Sequence, residues 1–190
     1  MKIRNAICQI ALHLRRRNKM ELEQCRAQLA QNGEAIRVLV ASVSDDEARW
    51  KPSADEWSVL EVVNHLYDEE REDFRQRLDI LLHQPPGTPW PPINPGGWVT
   101  ERGYNGRDLS QSLQNFLAER QKSLHWLDNL QNPDFERGQE HPVAGFFHAG
   151  DMLAAWVAHD VLHLRQLVEL KWALVGQLVR PYNPAYAGDW

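Results

Sequence analysis

Two histidines four residues apart, His159 and His163, lie in WVAHDVLHLRQLVEL (156–170), a stretch that otherwise reads as an apolar helix. Residues i and i+4 project from one helix face, so both imidazoles can reach one point. This is the spacing with which a helical His-x-x-x-His pair holds zinc. Two separately hydrogen-bonded core histidines would give the same pattern. The apolar surroundings (Trp156, Val157, Leu162, Leu164, Leu167) make a protonated ring costly, and a neutral ring needs partners for both nitrogens. A third imidazole, His65, lies in LEVVNHLYDEE between Val62, Val63 and Leu66. In a bundle, ligands converge from facing helices. His65, His159 and His163 would therefore form a three-histidine site with open positions, the arrangement of catalytic rather than structural metal centres.

Four helical segments must position these residues. The first spans about 20–43, with Leu22, Leu29, Ile36, Leu39 and Val43 at helical intervals. The second opens at Ser58, where Ser58 and Glu61 make an S-x-x-E capping box, and runs to about 82 through Leu60, Val63, Tyr67, Phe74, Leu78 and Leu81. The third starts at Asp108 or Ser110 and carries Leu109, Leu113, Phe116, Leu117, Leu124, Leu127 and Leu130. The fourth starts at Asp151 or the preceding glycine and lasts to about 175. No segment shows strand alternation, so the fold class expected is all-α, a four-helix bundle. The second-to-third connection, HQPPGTPWPPINPGGWVTERGYNGRD, is too rich in Pro and Gly for regular helix and too long to be unstructured in a compact domain. Its aromatics, Trp90, Trp98 and Tyr104, predict that it packs on the bundle, and its length allows the second and third helices to run parallel. The expected organisation is a basic N-terminal extension over 1–19, the bundle over 20–175 and an irregular tail over 176–190.

EWSVLEVVNHLYDEE, followed after roughly ninety residues by AHDVLHLRQL, resembles the DinB-like superfamily of four-helix-bundle metalloenzymes, with GDMLAAWVAHD and WKPSADEWS as further points of likeness. The resemblance covers about 20–175. It places metal ligands at His65, His159 and His163, with Asp160 and Gln166 completing the fourth-helix motif. It also implies an up-down-down-up helix order, a divalent transition metal, nickel or zinc foremost, and a homodimer. Relatives include transferases and isomerases that use a low-molecular-weight thiol, and others regarded as hydrolases.

A three-histidine site leaves a divalent ion its full charge, which acidifies a bound thiol or water. The leading expectation is a thiol-dependent S-transferase or isomerase acting on a small-molecule substrate. A hydrolase using water is the alternative, and a non-catalytic metal- or ligand-binding bundle is the third. Asp68 and Glu69, about one turn beyond His65, are candidate supporting groups or proton acceptors, although DEEREDF reads more simply as a solvated acidic run. Gln166, three residues beyond His163, can orient that ring. Asp160, rotated by about 100° from His159, faces a neighbouring helix or a dimer partner. Arg102, Arg107 or Arg165 could receive an anionic thiol cofactor, His148 could approach the mouth of the site, and Trp98 and Trp156 could line a pocket.

The chain has 190 residues and a net charge of −5, spread unevenly. Lys2, Arg4, Arg15, Arg16, Arg17 and Lys19 meet no acid in the first 19 residues, which leaves 15 basic against 26 acidic side chains beyond them, a net of −11. An acidic body argues against nucleic acid or an anionic membrane as partner. The apolar run AICQIALHL precedes its arginines, the reverse of a secretory signal, and is too short to span a bilayer. Cys8 and Cys25 belong to no CxxC pair, and the expectation is reduced thiols in the cytoplasm.

Overall fold

The computed structural model describes residues 22–141 and 145–188. The basic extension, with Cys8 and His13, lies outside the described residues. Helix α1 spans Leu22–Ala41, and a short helix α2, Asp45–Arg49, follows under a Ser44–Glu47 capping box. The second bundle helix is α3, Val59–Glu69, a π-helical turn, Glu70–Phe74, and α4, Arg75–His83. As the S-x-x-E pattern predicts, Ser58 Oγ accepts from Glu61 N–H at 3.1 Å and Glu61 accepts from Ser58 N–H at 2.8 Å. The long connection contains α5, Pro95–Glu101, and a 3₁₀ turn, Tyr104–Gly106. The third bundle helix, α6, Leu109–Asp128, is capped by Asp108, which accepts from Gln111 N–H at 2.7 Å. The fourth, α7, Ala149–Leu178, begins two residues before Asp151, whose carboxylate accepts from His148 N–H at 2.9 Å.

The chain is mostly helical, with one departure from the all-α expectation. Strands β1, Gly138–His141, and β2, Gly145–His148, form an antiparallel hairpin with Gly138 opposite His148. Each strand has four residues, half-buried or exposed with no regular alternation, so no burial pattern was available to mark them. Glycine is required at 138, where a Cβ would meet Phe147 O at 2.4 Å.

The bundle core has two halves. One joins Ile36 and Val40 of α1, Leu60 and Val63 of α3, Phe116 of α6, and Leu167 and Leu170 of α7. The other joins Leu29, Phe74, Leu78, Leu124, Leu127, Met152, Leu153 and Trp156. Burying each such side chain stabilises by about 1.5–3 kcal/mol. The long connection packs down as its aromatics predict, with Trp98, Val99 and Tyr104 forming a cluster of their own. No helix among the described residues is long and apolar enough to cross a membrane.

Between the two halves sits one buried cation. Arg120 of α6 is 2% exposed. It donates to Glu70 Oε1 and Oε2 at 2.8 and 2.9 Å, to Asp160 Oδ2 and Oδ1 at 2.7 and 2.8 Å, and to the Leu29 carbonyl at 2.6 Å. Gly33 of α1 packs against it, where a Cβ would lie 3.4 Å from Arg120 Cγ, at van der Waals contact. Removing one partner of such a pair leaves buried charge uncompensated, which costs about 3–5 kcal/mol. Arg120→Met is therefore expected to lower unfolding stability by about that amount in urea titrations. Arg165→Met, at an exposed pair with Glu169, should leave the urea midpoint within experimental scatter.

Candidate metal centre

His65 from α3 and His159 and His163 from α7 meet at one point. His65 Nε2 lies 3.3 Å from His159 Nε2, and His163 Nε2 lies 3.1 Å from the same atom. One nitrogen from each ring can be chosen so that all three lie within 4.8 Å of one another. His65 is buried, and the two α7 rings are partly buried. Helical periodicity places His159 and His163 on one face and turns Asp160 away, onto Arg120 of the neighbouring α6.

The three rings cannot satisfy one another. His163 Nδ1 donates to Gln166 Oε1 at 2.8 Å, which leaves a lone pair on His163 Nε2. His159 Nε2 stands between that atom and His65 Nε2, and one nitrogen cannot both donate to the first and accept from the second. Burial, and then the mutual charges of the other two imidazoles, lower the His65 pKa to about 2. Burial lowers His159 to about 3, with His163 and Arg120 adding to the effect, and burial also lowers His163. All three are neutral at physiological pH, the state in which imidazole binds a metal. Two nitrogens about 2.1 Å from one ion stand about 3.0–3.4 Å apart at octahedral to tetrahedral angles. The His65–His159 and His159–His163 spacings, 3.3 and 3.1 Å, fall in that range, and with all three nitrogens within 4.8 Å of one another the donor set fits a divalent transition ion. Gln166 supplies the outer hydrogen bond that fixes the His163 tautomer. Nδ1 of His65 is buried with no hydrogen-bond partner.

Aromatic rings wall the cluster. Trp57 stacks parallel to His163 at 6.2 Å and tilts against His65 at 4.8 Å. Phe74, at the end of the π turn, tilts against His159 at 4.8 Å. Sequence reasoning singled out other tryptophans. Trp156 lies in the core, stacked on Phe74 with its indole donating to Glu70 at 3.0 Å. Trp98 lies under Arg102, whose guanidinium is 3.9 Å from the ring centroid. Trp57 had a sequence signal, since it sits just before the Ser58 cap, where a hydrophobic residue folds back on the helix.

The acidic run beyond His65 is not solvated, contrary to the simpler expectation. Asp68, Glu69, Glu70 and Asp73 are all buried. Asp68 accepts from Tyr104 Oη and Arg102 at 2.5 Å and from Arg71 at 2.9 Å. Burial pushes its pKa up, but hydrogen bonds from Tyr104, Arg71 and Arg102 outweigh burial and hold it below the usual carboxylate range. Glu69 turns to Asp73 instead, as described below. The arginines considered for an anionic cofactor are engaged elsewhere. Arg102 is paired with Asp68 and Glu72, Arg107 donates to Asn64 at 2.7 Å, and Arg165 pairs with Glu169. His148 is eleven residues before His159, about 16 Å along the helix axis, and its ring is hydrogen-bonded to Asp151 at 2.9 Å. Burial pushes the Cys25 thiol up, away from a reactive thiolate.

A model of the DinB superfamily matches residues 28–167, and the chain belongs to that superfamily. No curated protein matches it in sequence. Among solved structures it is similar to YfiT from Bacillus subtilis, with a TM-score of 0.71 at 19% identity over 83% of this chain and 91% of that one. That protein is described as a probable metal-dependent hydrolase with an unusual four-helix bundle topology. The likeness shows a shared four-helix-bundle fold.

The depressed histidine pKa values make a prediction for the metal-free protein. His65 and His159 should not titrate above about pH 4, whereas unperturbed histidine titrates near pH 6.5, as ring-proton NMR would show. Their folded pKa values lie below the unfolded value, so the unfolded chain takes up protons first. Stability is present above about pH 6.5 and declines as pH falls below it.

Proposed function

We propose that this DinB-superfamily bundle is a divalent-metal-dependent enzyme of small molecules, with His65, His159 and His163 holding the ion through their Nε2 atoms. The single observation behind it is the convergence of three neutral imidazoles whose facing nitrogens cannot satisfy one another. A nickel or zinc ion bound there would supply a Lewis acid that turns a water or thiol molecule into a nucleophile near neutral pH. The residues do the rest. The imidazoles add no charge of their own. Gln166 holds the His163 ring in one orientation. Trp57 and Phe74 keep bulk water from the sides of the cluster and leave an apolar wall for substrate.

Hydrolysis is the favoured reaction. The structural neighbour is described as a probable metal-dependent hydrolase, and Arg102 and Arg107, two of the side chains considered for an anionic thiol cofactor, are already engaged with Asp68, Glu72 and Asn64. A thiol-dependent transferase remains the second reading, favoured by the apolar aromatic wall, which suits a soft sulfur nucleophile. The up-down-down-up helix order belongs to the same proposal. It is supported by the core halves, which group the late residues of α1 and α7 with the early residues of α3 and α6.

Plasma mass spectrometry on protein purified without a histidine tag tests the metal site. The expected result is about one divalent ion per chain, lost in His163→Ala and bound about 10–100-fold more weakly in Gln166→Leu. Failure to bind nickel, zinc or manganese after reconstitution would return the three histidines to core packing.

A further inference from the structure

We propose that Glu69, with Asp73 behind it, is the proton-holding group of the histidine site, giving its carboxyl proton to the departing group and regaining one from the incoming nucleophile. This rests on the metal-enzyme reading above and adds the acid–base group that the imidazoles, committed as ligands, do not supply.

Position is the first observation. Glu69 is four residues beyond His65 on the continuous helix α3, so the two side chains share a face about one turn apart. Cα–Cβ bonds tilt toward the helix N-terminus, which leans the Glu69 side chain toward the His65 turn. Phe74, from the π turn that follows, touches His159, so this stretch of the second bundle helix borders the cluster.

Burial and an unfilled valence are the second. Glu69 is 4% exposed, and its Oε1 has no hydrogen-bond partner. A carboxyl oxygen withdrawn from water and left unpaired is costly, and each such atom in a folded protein calls for an explanation. Its neighbour Asp68 accepts from Tyr104, Arg102 and Arg71. Glu69 has one cation near it, Arg77, which is ion-paired with Asp73. It is hydrogen-bonded to Asp73, which pairs with Arg77 at 2.8 Å, and Trp90 of the long connection lies over Arg77.

Two close carboxyls beside one arginine cannot both ionise cheaply. Burial pushes Asp73 up as well, but its pairing with Arg77 and the hydrogen bond from Glu69 oppose the rise, so Glu69 keeps the shared proton and its O–H donates a hydrogen bond to Asp73. Burial, then the charge and hydrogen bond of Asp73, push Glu69 up to about 8, with Arg77 opposing and Asp68 adding to the rise. A general acid is most effective with a pKa near the working pH.

The proton inventory closes. In hydrolysis of R–Y by water, R–O forms while R–Y and one O–H of water break. Y leaves with the proton of Glu69, and the proton lost by water returns to Glu69. With a thiol nucleophile, S–H replaces O–H. No oxidant, reductant or further reactant is required.

Glu69→Gln is the decisive variant, because the amide still donates to Asp73 but carries no exchangeable acid proton. Three readouts separate the possibilities. Cobalt(II) loading of the wild type, measured by plasma mass spectrometry, comes first. If the wild type binds no cobalt, the metal-enzyme reading fails and this proposal with it. Glu69→Gln is expected to bind cobalt at the wild-type stoichiometry. Infrared difference spectra of the metal-free protein should show a buried carboxylic-acid carbonyl band that titrates near pH 8, present in the wild type and missing in Glu69→Gln. In cobalt-loaded protein, the visible spectrum should titrate with a midpoint that falls in Glu69→Gln, because the charge that Glu69 acquires as it ionises near pH 8 no longer opposes loss of the bound proton. A wild type that binds cobalt but lacks the carbonyl band, or whose cobalt midpoint is absent or unchanged in the variant, overturns the proposal and leaves the metal site standing.

Discussion

Arg120 is the point on which the bundle turns. From α6 it reaches the Leu29 carbonyl of α1, Glu70 of the second bundle helix and Asp160 of α7, so one guanidinium joins all four bundle helices. Apolar side chains can slide past one another at modest cost, since volume-conserving repacking of a hydrophobic core is tolerated. A buried guanidinium cannot move without breaking charged hydrogen bonds, and a broken buried pair leaves its partner stranded. The planar fork with two carboxylates also fixes direction as well as distance. Rotation of α7 relative to the second bundle helix is thereby pinned at Asp160 and Glu70.

That pin sits beside the histidines. Asp160 follows His159 in sequence, so the hydrogen bonds that hold Asp160 onto α6 set the rotation that aims His159 and His163 at His65. Glu70 opens the π turn, and Phe74 at its end packs against both Trp156 and His159. The extra residue of a π turn shifts the facing of everything beyond it, so the helix can present His65 to one side of the core and still return Leu78, Leu81 and Leu82 to it. The precision of the imidazole cluster therefore comes from a neighbouring ion pair and a helix irregularity, with Gln166 holding one of the rings directly.

What was legible in the sequence follows from how local each signal was. The i, i+4 spacing of His159 and His163 needs only a helix, and the Ser58 cap needs four residues; both are present as read. The facing of Asp160 followed from 100° of rotation alone. The acidic run 68–73 was misread because its neutralising partners come from far along the chain: Arg102 and Tyr104 from the long connection for Asp68, Arg120 for Glu70. Arg120 did leave a trace, since it shares a face with Phe116, Leu124 and Leu127, and a charge inside an apolar stripe signals a buried pair. The hairpin left none, being too short and having no alternation of buried and exposed residues. The arginines considered for a cofactor could not be placed from the sequence, which does not say which distant partners have already claimed them: Asp68 and Glu72 for Arg102, Asn64 for Arg107.

Asp68 and Glu69 are adjacent residues of one helix, both buried, and they titrate in opposite directions. Desolvation raises both, so burial alone cannot distinguish them. The difference is the side of the helix each occupies. Asp68 faces the long connection, where Tyr104, Arg71 and Arg102 supply donors enough to reverse the effect of burial. Glu69, one turn beyond His65, is hydrogen-bonded to another carboxylate, Asp73, and the pull of Arg77 does not offset it. One charge is thus spent on anchoring the connection to the bundle, and it holds Trp98, Val99 and Tyr104 down without recourse to the site. The other carboxyl, beside Asp73, is pushed up to about 8 and stays uncharged at neutral pH. It is four residues beyond His65 on the same helix face, where a formal negative charge would favour imidazolium over metal-ready imidazole.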